Sequence, residues 1–313
     1  MSNFTNIEWT DATWNTVVGC SKVSAGCANC YAEKMANRIK SRNVLDSICG
    51  AYRSVVGADR KWNGRIETYD NALTIPLRWK KPRHIFVNSM SDLFHEQVPF
   101  DFIDKVFAVM AKCQQHTFQI LTKRPDQMAK YLRRIMRDCG TILHAAHKLG
   151  IEPPEPKTAT KRDYLHYCWP FQNVWIGTSV ENQQTADSRI PHLLDCPATM
   201  RFLSCEPLLG SIDIHFVSPV KTRDLKNQSL ADERREIDLV IVGGESGTHA
   251  RPCKIEWIRS IMRQCRGANV PVFVKQLGAN PMFGFGNELL LKDRKGGNPE
   301  EWPEDLRVRE MPL

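Results

Sequence analysis

The chain has 313 residues, 42% of them hydrophobic and 25% charged, with a formal net charge of +8. That balance belongs to a soluble globular protein, and no run approaches the roughly 20 consecutive apolar residues that a membrane-spanning helix needs. The first residues, Met1-Ser-Asn-Phe-Thr-Asn-Ile-Glu8, lack the basic and apolar blocks of a signal peptide, so a cytoplasmic location away from any membrane is expected.

Taken in chain order, the pattern alternates strand and helix. A first strand is predicted within 13–19, just ahead of a cysteine-rich loop. A second, His84-Ile-Phe-Val-Asn88, precedes a helix over 102–113, where Phe102, Ile103, Val106, Phe107 and Met110 recur at helical spacing. Thr117-Phe-Gln-Ile-Leu-Thr122 follows, then a helix from Pro125 to about Arg137 with proline in its first turn. Residues 140–172, with the run Ile151-Glu-Pro-Pro-Glu-Pro-Lys157, break the rhythm and read as an insertion. Strands at 173–178, 200–204, 238–243 and 270–275 and helices at 181–194 and 254–265 complete the series. Near-continuous apolar runs of this length suit strands buried on both faces of a parallel sheet. The α/β pattern therefore predicts a parallel (β/α) barrel or partial barrel: a single domain over 1–288, and a charged, Gly/Pro-rich C-terminal extension over 289–313.

Eleven cysteines are many for such a chain, and in a reducing cytosol clustered cysteines point to metal or catalysis. Eight (Cys49, Cys113, Cys139, Cys168, Cys196, Cys205, Cys253 and Cys265) stand singly and fit small buried hydrophobes. The other three lie within Cys20-Ser-Lys-Val-Ser-Ala-Gly-Cys27-Ala-Asn-Cys30. Three soft thiolates on one glycine-containing loop can hold an iron–sulfur cluster and leave one coordination position open. A structural zinc would close with a fourth, distant ligand such as Cys49 or His95, and unligated thiols are the third alternative.

Three cysteines on a loop after the first strand of a parallel barrel resemble the radical S-adenosylmethionine enzymes. The resemblance implies a [4Fe–4S] cluster on Cys20, Cys27 and Cys30, S-adenosylmethionine bound at its open iron, and reductive cleavage to a 5′-deoxyadenosyl radical. Six residues separate the first two cysteines where that superfamily commonly has three, and Asn29 stands where an aromatic residue is usual. A second resemblance covers nearly the whole chain. Asn88-Ser-Met-Ser-Asp-Leu-Phe-His95, Leu121-Thr-Lys-Arg-Pro125, Trp175-Ile-Gly-Thr-Ser-Val-Glu181, Ser204-Cys-Glu-Pro-Leu-Leu209 and Val242-Gly-Gly-Glu-Ser-Gly247 are similar to a phage-associated three-cysteine family whose chemistry is uncharacterised.

Polar residues recur where the strands end, the position at which a parallel barrel gathers its chemistry. By analogy with radical S-adenosylmethionine barrels, Asn88, Ser89 and Asp92 are assigned to the methionine moiety of the cofactor. Ser179 and Glu181 are assigned to its ribose. Helix capping and turn chemistry are the competing uses of the same residues. Lys123, Arg124 and Lys275 bring positive charge suited to an anion, or pair with Glu181, Glu206 or Glu245. The expectation is a radical S-adenosylmethionine enzyme, acting on a nucleic acid or nucleotide and fed by a reducing electron donor. The rivals are a nucleic-acid- or partner-binding module with a structural cluster or zinc, and an enzyme using the open iron as a Lewis acid.

Overall fold

The computed structural model describes residues 5, 7–41, 47–151, 167–214, 236–283, 287 and 289–312. Eleven strands occur among them: β1 (Ala12–Trp14), β2 (Val17–Val18), β3 (Glu67–Thr68), β4 (His84–Val87), β5 (Thr117–Thr122), β6 (Val174–Ser179), β7 (Met200–Cys205), β8 (Leu239–Gly243), β9 (Cys253–Lys254), β10 (Val272–Gln276) and β11 (Pro281–Met282). The helices are α1 (Tyr31–Lys40), α2 (Ser47–Val55), α3 (Phe100–Lys112), α4 (Pro125–Arg137), α5 (Gly140–Lys148), α6 (Gln183–Leu194) and α7 (Ile255–Ala268). None is long and apolar enough to cross a membrane.

The fold is α/β. Seven strands form one sheet in the order β1-β4-β5-β6-β7-β8-β10, which is their order along the chain. Within it β1 and β4, β4 and β5, β7 and β8, and β8 and β10 pair in parallel: Ala12 faces Ile85, His84 faces Thr117, Phe202 faces Leu239 and Val240 faces Val272. Every residue of β6 and of β8 is buried, which is why these strands read as unbroken apolar runs. Sequential parallel strands need a crossover each, and α3, α6 and α7 supply three of them.

The chain divides into two compact units, and the division falls inside β6, between Ile176 and Gly177. Unit 1 comprises residues 1–22, 30–176 and 196–199; unit 2 comprises 23–29, 177–195 and 200–313. In unit 1 the buried ring of Tyr131 on α4 stands 5.3 Å from Phe100 and 4.9 Å from Phe107, both on α3. Its hydroxyl donates to Asp104, which also accepts a two-bond fork from Arg134, so this buried carboxylate is matched in charge. Asn173 fixes the entry to β6 by donating to the carbonyls of Met110, Cys113 and His116. Trp9 and Trp14 lie in the core; Trp14 donates to the Ala72 carbonyl.

The insertion contributes α5, which packs on α3, while most of its Pro-rich run lies outside the described residues. In unit 2 the C-terminal extension is tied to β10: Val274 donates to Val308, and Trp302 is buried with its indole N–H on Gly296.

Candidate metal centre and its supports

The segment that carries Cys20, Cys27 and Cys30 is shared between the units: residues up to Lys22 and from Cys30 onward belong to unit 1, and Val23–Asn29 to unit 2. All three cysteines are half-buried, whereas Cys49, Cys113, Cys196, Cys205, Cys253 and Cys265 are buried. Burial pushes the thiols of Cys113 up to about 11 and of Cys253 and Cys265 to about 12, and that of Cys205 well above its usual range. Those four are inert apolar fillers.

In unit 1, β2 is followed by Gly19, whose positive φ of 94° and close approach to the Arg65 carbonyl leave no room for a Cβ. Cys20 follows, then Ser21, which is held by a polar hub built on the buried Arg124, Asp92 and His95. Arg124 is 3% exposed. Its Nη2 donates to Ser21 Oγ at 2.7 Å and to the Ser21 carbonyl at 3.3 Å. Its Nη1 reaches Asp92 at 3.1 Å and its Nε reaches Glu96 at 3.0 Å. Burial works against the charged guanidinium, but Asp92, Cys20 and Glu96 outweigh it and hold the group above its ordinary value.

His95 completes the hub. Its Nδ1 accepts from the Gln97 backbone, so the ring proton sits on Nε2 and is donated to Ser21 Oγ at 2.8 Å. Burial and then Arg124 hold this imidazole below its usual value, against Glu96 and Asp92. Both ring nitrogens are engaged, which removes His95 as a ready fourth ligand. Cys49, the other candidate, is 1% exposed on α2. Cys30 stands at the N-cap of α1 and packs against the apolar cluster of Val18, Ala36, Tyr52 and Val55.

In unit 2 the middle of the loop is gripped by two buried carboxylates. Glu181, fully buried, accepts from Ser24 Oγ at 2.9 Å through Oε1 and from Arg189 at 3.1 Å through Oε2. Gly26 lies so close to Glu181 that a Cβ there would stand 2.5 Å from its Cγ. Glu245 accepts from Asn29 at 3.0 Å and from Arg251 at Nε, Nη2 and the backbone N–H. Arg251 Nη1 then donates to the Ala25 carbonyl at 2.8 Å, and Asn29 also donates to the His249 carbonyl. Cys27 sits in the 3-10 turn Ala25–Cys27, its backbone N–H on Ser24. Asn29 thus ties the loop to both Glu245 and the His249 carbonyl.

The residues assigned from sequence to S-adenosylmethionine fall in both units. Asn88 adopts a left-handed φ of 56°, and its Oδ1 accepts from the backbones of Thr16 and Val17, while its buried Nδ2 has no partner. Ser89 Oγ donates to Asn15, and its carbonyl accepts from the Tyr31 hydroxyl. Asp92 accepts from Thr122, Phe94, Lys123 and Arg124. The Ser179 carbonyl accepts from Arg189, on the same guanidinium nitrogen that serves Glu181. Lys275 pairs with Glu206 at 3.1 Å. Sequence reasoning missed Ser21, Ser24, Arg189 and Arg251 as supports; the one available signal was Asn29.

Among the described residues no group of three or more His, Cys, Asp or Glu side chains is drawn together as a metal site. The fit of an iron–sulfur cluster to Cys20, Cys27 and Cys30 rests on donor chemistry and exposure: three soft thiols, half-buried, on a braced loop.

Fold and site together define an α/β protein that presents a braced, thiol-bearing loop. Residues 4–297 match the family described as "Protein of unknown function (DUF5131)", and the chain belongs to that family. No curated protein and no solved structure matches it.

Proposed function

We propose that the protein is a radical S-adenosylmethionine enzyme whose cluster is held by Cys20, Cys27 and Cys30. The observation that carries this reading is the donor set: three half-buried thiols, with His95 engaged at both ring nitrogens and Cys49 buried. Three protein ligands suit a cubane with one open iron better than a closed zinc site. The chemistry such a cofactor pair supplies is one-electron reductive cleavage of S-adenosylmethionine to a 5′-deoxyadenosyl radical. The chain's own residues bind and orient. Asn88, whose buried Nδ2 lacks a partner, serves the methionine moiety together with Ser89 and Asp92, and Ser179 and Glu181 serve the ribose. Arg124 holds positive charge beside Cys20 and, with His95, fixes Ser21.

A nucleic acid or nucleotide is the proposed substrate, supported by the net charge of +8 and by the resemblance to phage-associated proteins. An external reductant supplies the electron, and the barrel of the radical S-adenosylmethionine type and a cytoplasmic location belong to the same reading. Anaerobic reconstitution tests it. About four irons with matching sulfide per chain are expected, with 5′-deoxyadenosine formed from S-adenosylmethionine after dithionite reduction. Stoichiometric zinc without sulfide would favour the structural-metal module instead, and full cluster loading without 5′-deoxyadenosine would exclude the radical reaction.

A further inference from the structure

Cys139 and Cys168 read from the sequence as two unrelated fillers, but unit 1 brings them together. Cys139 is the N-cap of α5, and α5 packs along α3. Cys168 precedes Trp169 and Phe171, whose rings stand 5.4 and 6.1 Å from Phe107, also on α3. The indole of Trp169 donates to the Pro197 carbonyl, which fixes this stretch further. With both carriers seated on one helix, the Cys168 thiol hydrogen-bonds Cys139. The pair is half-buried, unlike the six buried cysteines outside the candidate metal loop. Burial and the bond to Cys139 push the Cys168 thiol up to about 12.

The geometry points to a reversible disulfide between Cys139 and Cys168. Neither cysteine belongs to the metal centre proposed above, so the two readings stand or fall separately. The oxidant is a small-molecule disulfide such as oxidised glutathione. One of the two thiols, as its thiolate, attacks one of the oxidant's sulfurs, forming a mixed disulfide and releasing one glutathione thiolate. The other thiol then passes its proton to the released glutathione thiolate and attacks the protein-side sulfur of the mixed disulfide, releasing the second glutathione. Two protein thiols are oxidised by two electrons, and one glutathione disulfide is reduced to two thiols. Contact between the thiols makes the second step intramolecular, with an effective concentration on the order of millimolar or more.

The test is made on the full chain equilibrated in reduced and oxidised glutathione, quenched with acid, alkylated with iodoacetamide and mapped by mass spectrometry. As the oxidised fraction rises, Cys139 and Cys168 should lose alkylation together. A cross-linked peptide pair containing both, two hydrogens lighter than the reduced pair and cleaved by dithiothreitol, should appear in step. In a Cys168→Ala chain, Cys139 should instead accumulate the glutathione mixed disulfide. The proposal is overturned if both residues of the natural chain stay alkylated at every ratio. It is equally overturned if Cys139 carries only glutathione while Cys168 remains alkylated. The natural chain alone decides, whatever the variant's stability.

Discussion

Replacing Glu245 by Gln tests the brace on the cysteine loop. Burial pushes the Glu245 carboxyl up, but the hydrogen bonds from Arg251 and Asn29 outweigh it and hold the group below its usual value. A hydrogen bond to a charged group contributes about 1.5–3 kcal/mol and a neutral one about 0.5–1.5 kcal/mol. Neutralising Glu245 therefore weakens each contact by about 1–1.5 kcal/mol. Two of these contacts reach the loop: Asn29 directly, and Ala25 through Arg251. Local opening of residues 23–29 should become easier by about 2–3 kcal/mol, roughly 30- to 150-fold.

Hydrogen exchange of the peptide spanning Cys27, together with its alkylation rate in metal-free protein, reads this directly. The pH dependence has a definite sign. A depressed folded-state carboxyl stabilises above its ordinary value of 4.5 and loses that stabilisation as pH falls through the lower folded value. The natural chain should lose protection in this loop below pH 4.5, and the Gln variant should show no such step. Loss of global stability with unchanged exchange at 23–29 would refute the reasoning.

Two further substitutions probe the other supports. Gly26→Ala forces a Cβ against the fully buried Glu181 and should cost about 1–3 kcal/mol in urea unfolding, whereas Gly267→Ala, which meets nothing within 4 Å in α7, should be neutral or slightly stabilising; equal midpoints for the two would count against the close approach. Arg124→Met leaves Asp92 buried without its ion pair, a loss of about 3–5 kcal/mol, and should raise the His95 titration midpoint, because burial and Arg124 both hold it down; an unmoved His95 in proton NMR would break the hub.

Much of the sheet was legible because its strands are buried on both faces and so carry little but apolar residues. Thr117–Thr122 and the helix Pro125–Arg137 agree with the expected bounds, β6 is shifted by one residue at both ends, and β7 runs one residue longer. Three helices escaped notice. In α1 the apolar residues are Ala32, Met35, Ala36 and Ile39, with Met35 exposed, so little remains of an apolar stripe after the cysteine signal is read. α2 and α5 are only nine residues each, and α5 lies in a stretch whose prolines suggested a loop. The first strand was predicted as one element and is two, β1 and β2. Asn88 accepts from both Thr16 and Val17 beside the break. The supports of the candidate site were illegible for another reason. Ser24 meets Glu181 across 157 positions and Asn29 meets Glu245 across 216, and no local pattern marks pairs at that separation.

The distribution of these supports argues for what the loop is for. Glu181 and Glu245 are carboxylates taken almost wholly out of water, a cost tolerated only where charge and hydrogen bonds match it. Each has its arginine, Arg189 and Arg251, and each spends a further bond on the loop between Cys20 and Cys30. Arg124 does the converse in unit 1, balanced by Asp92 and Glu96 and donating to Ser21. The strong bonds thus reach the loop through the hydroxyls of Ser21 and Ser24, the amide of Asn29 and the carbonyl of Ala25. A loop whose role was to cover apolar surface would need none of this, since packing alone would seat it. The ligation proposed above would need its ligands held to within about half an ångström by neighbours that do not themselves bind the metal, and hydroxyl, amide and backbone anchors on the loop suit that need.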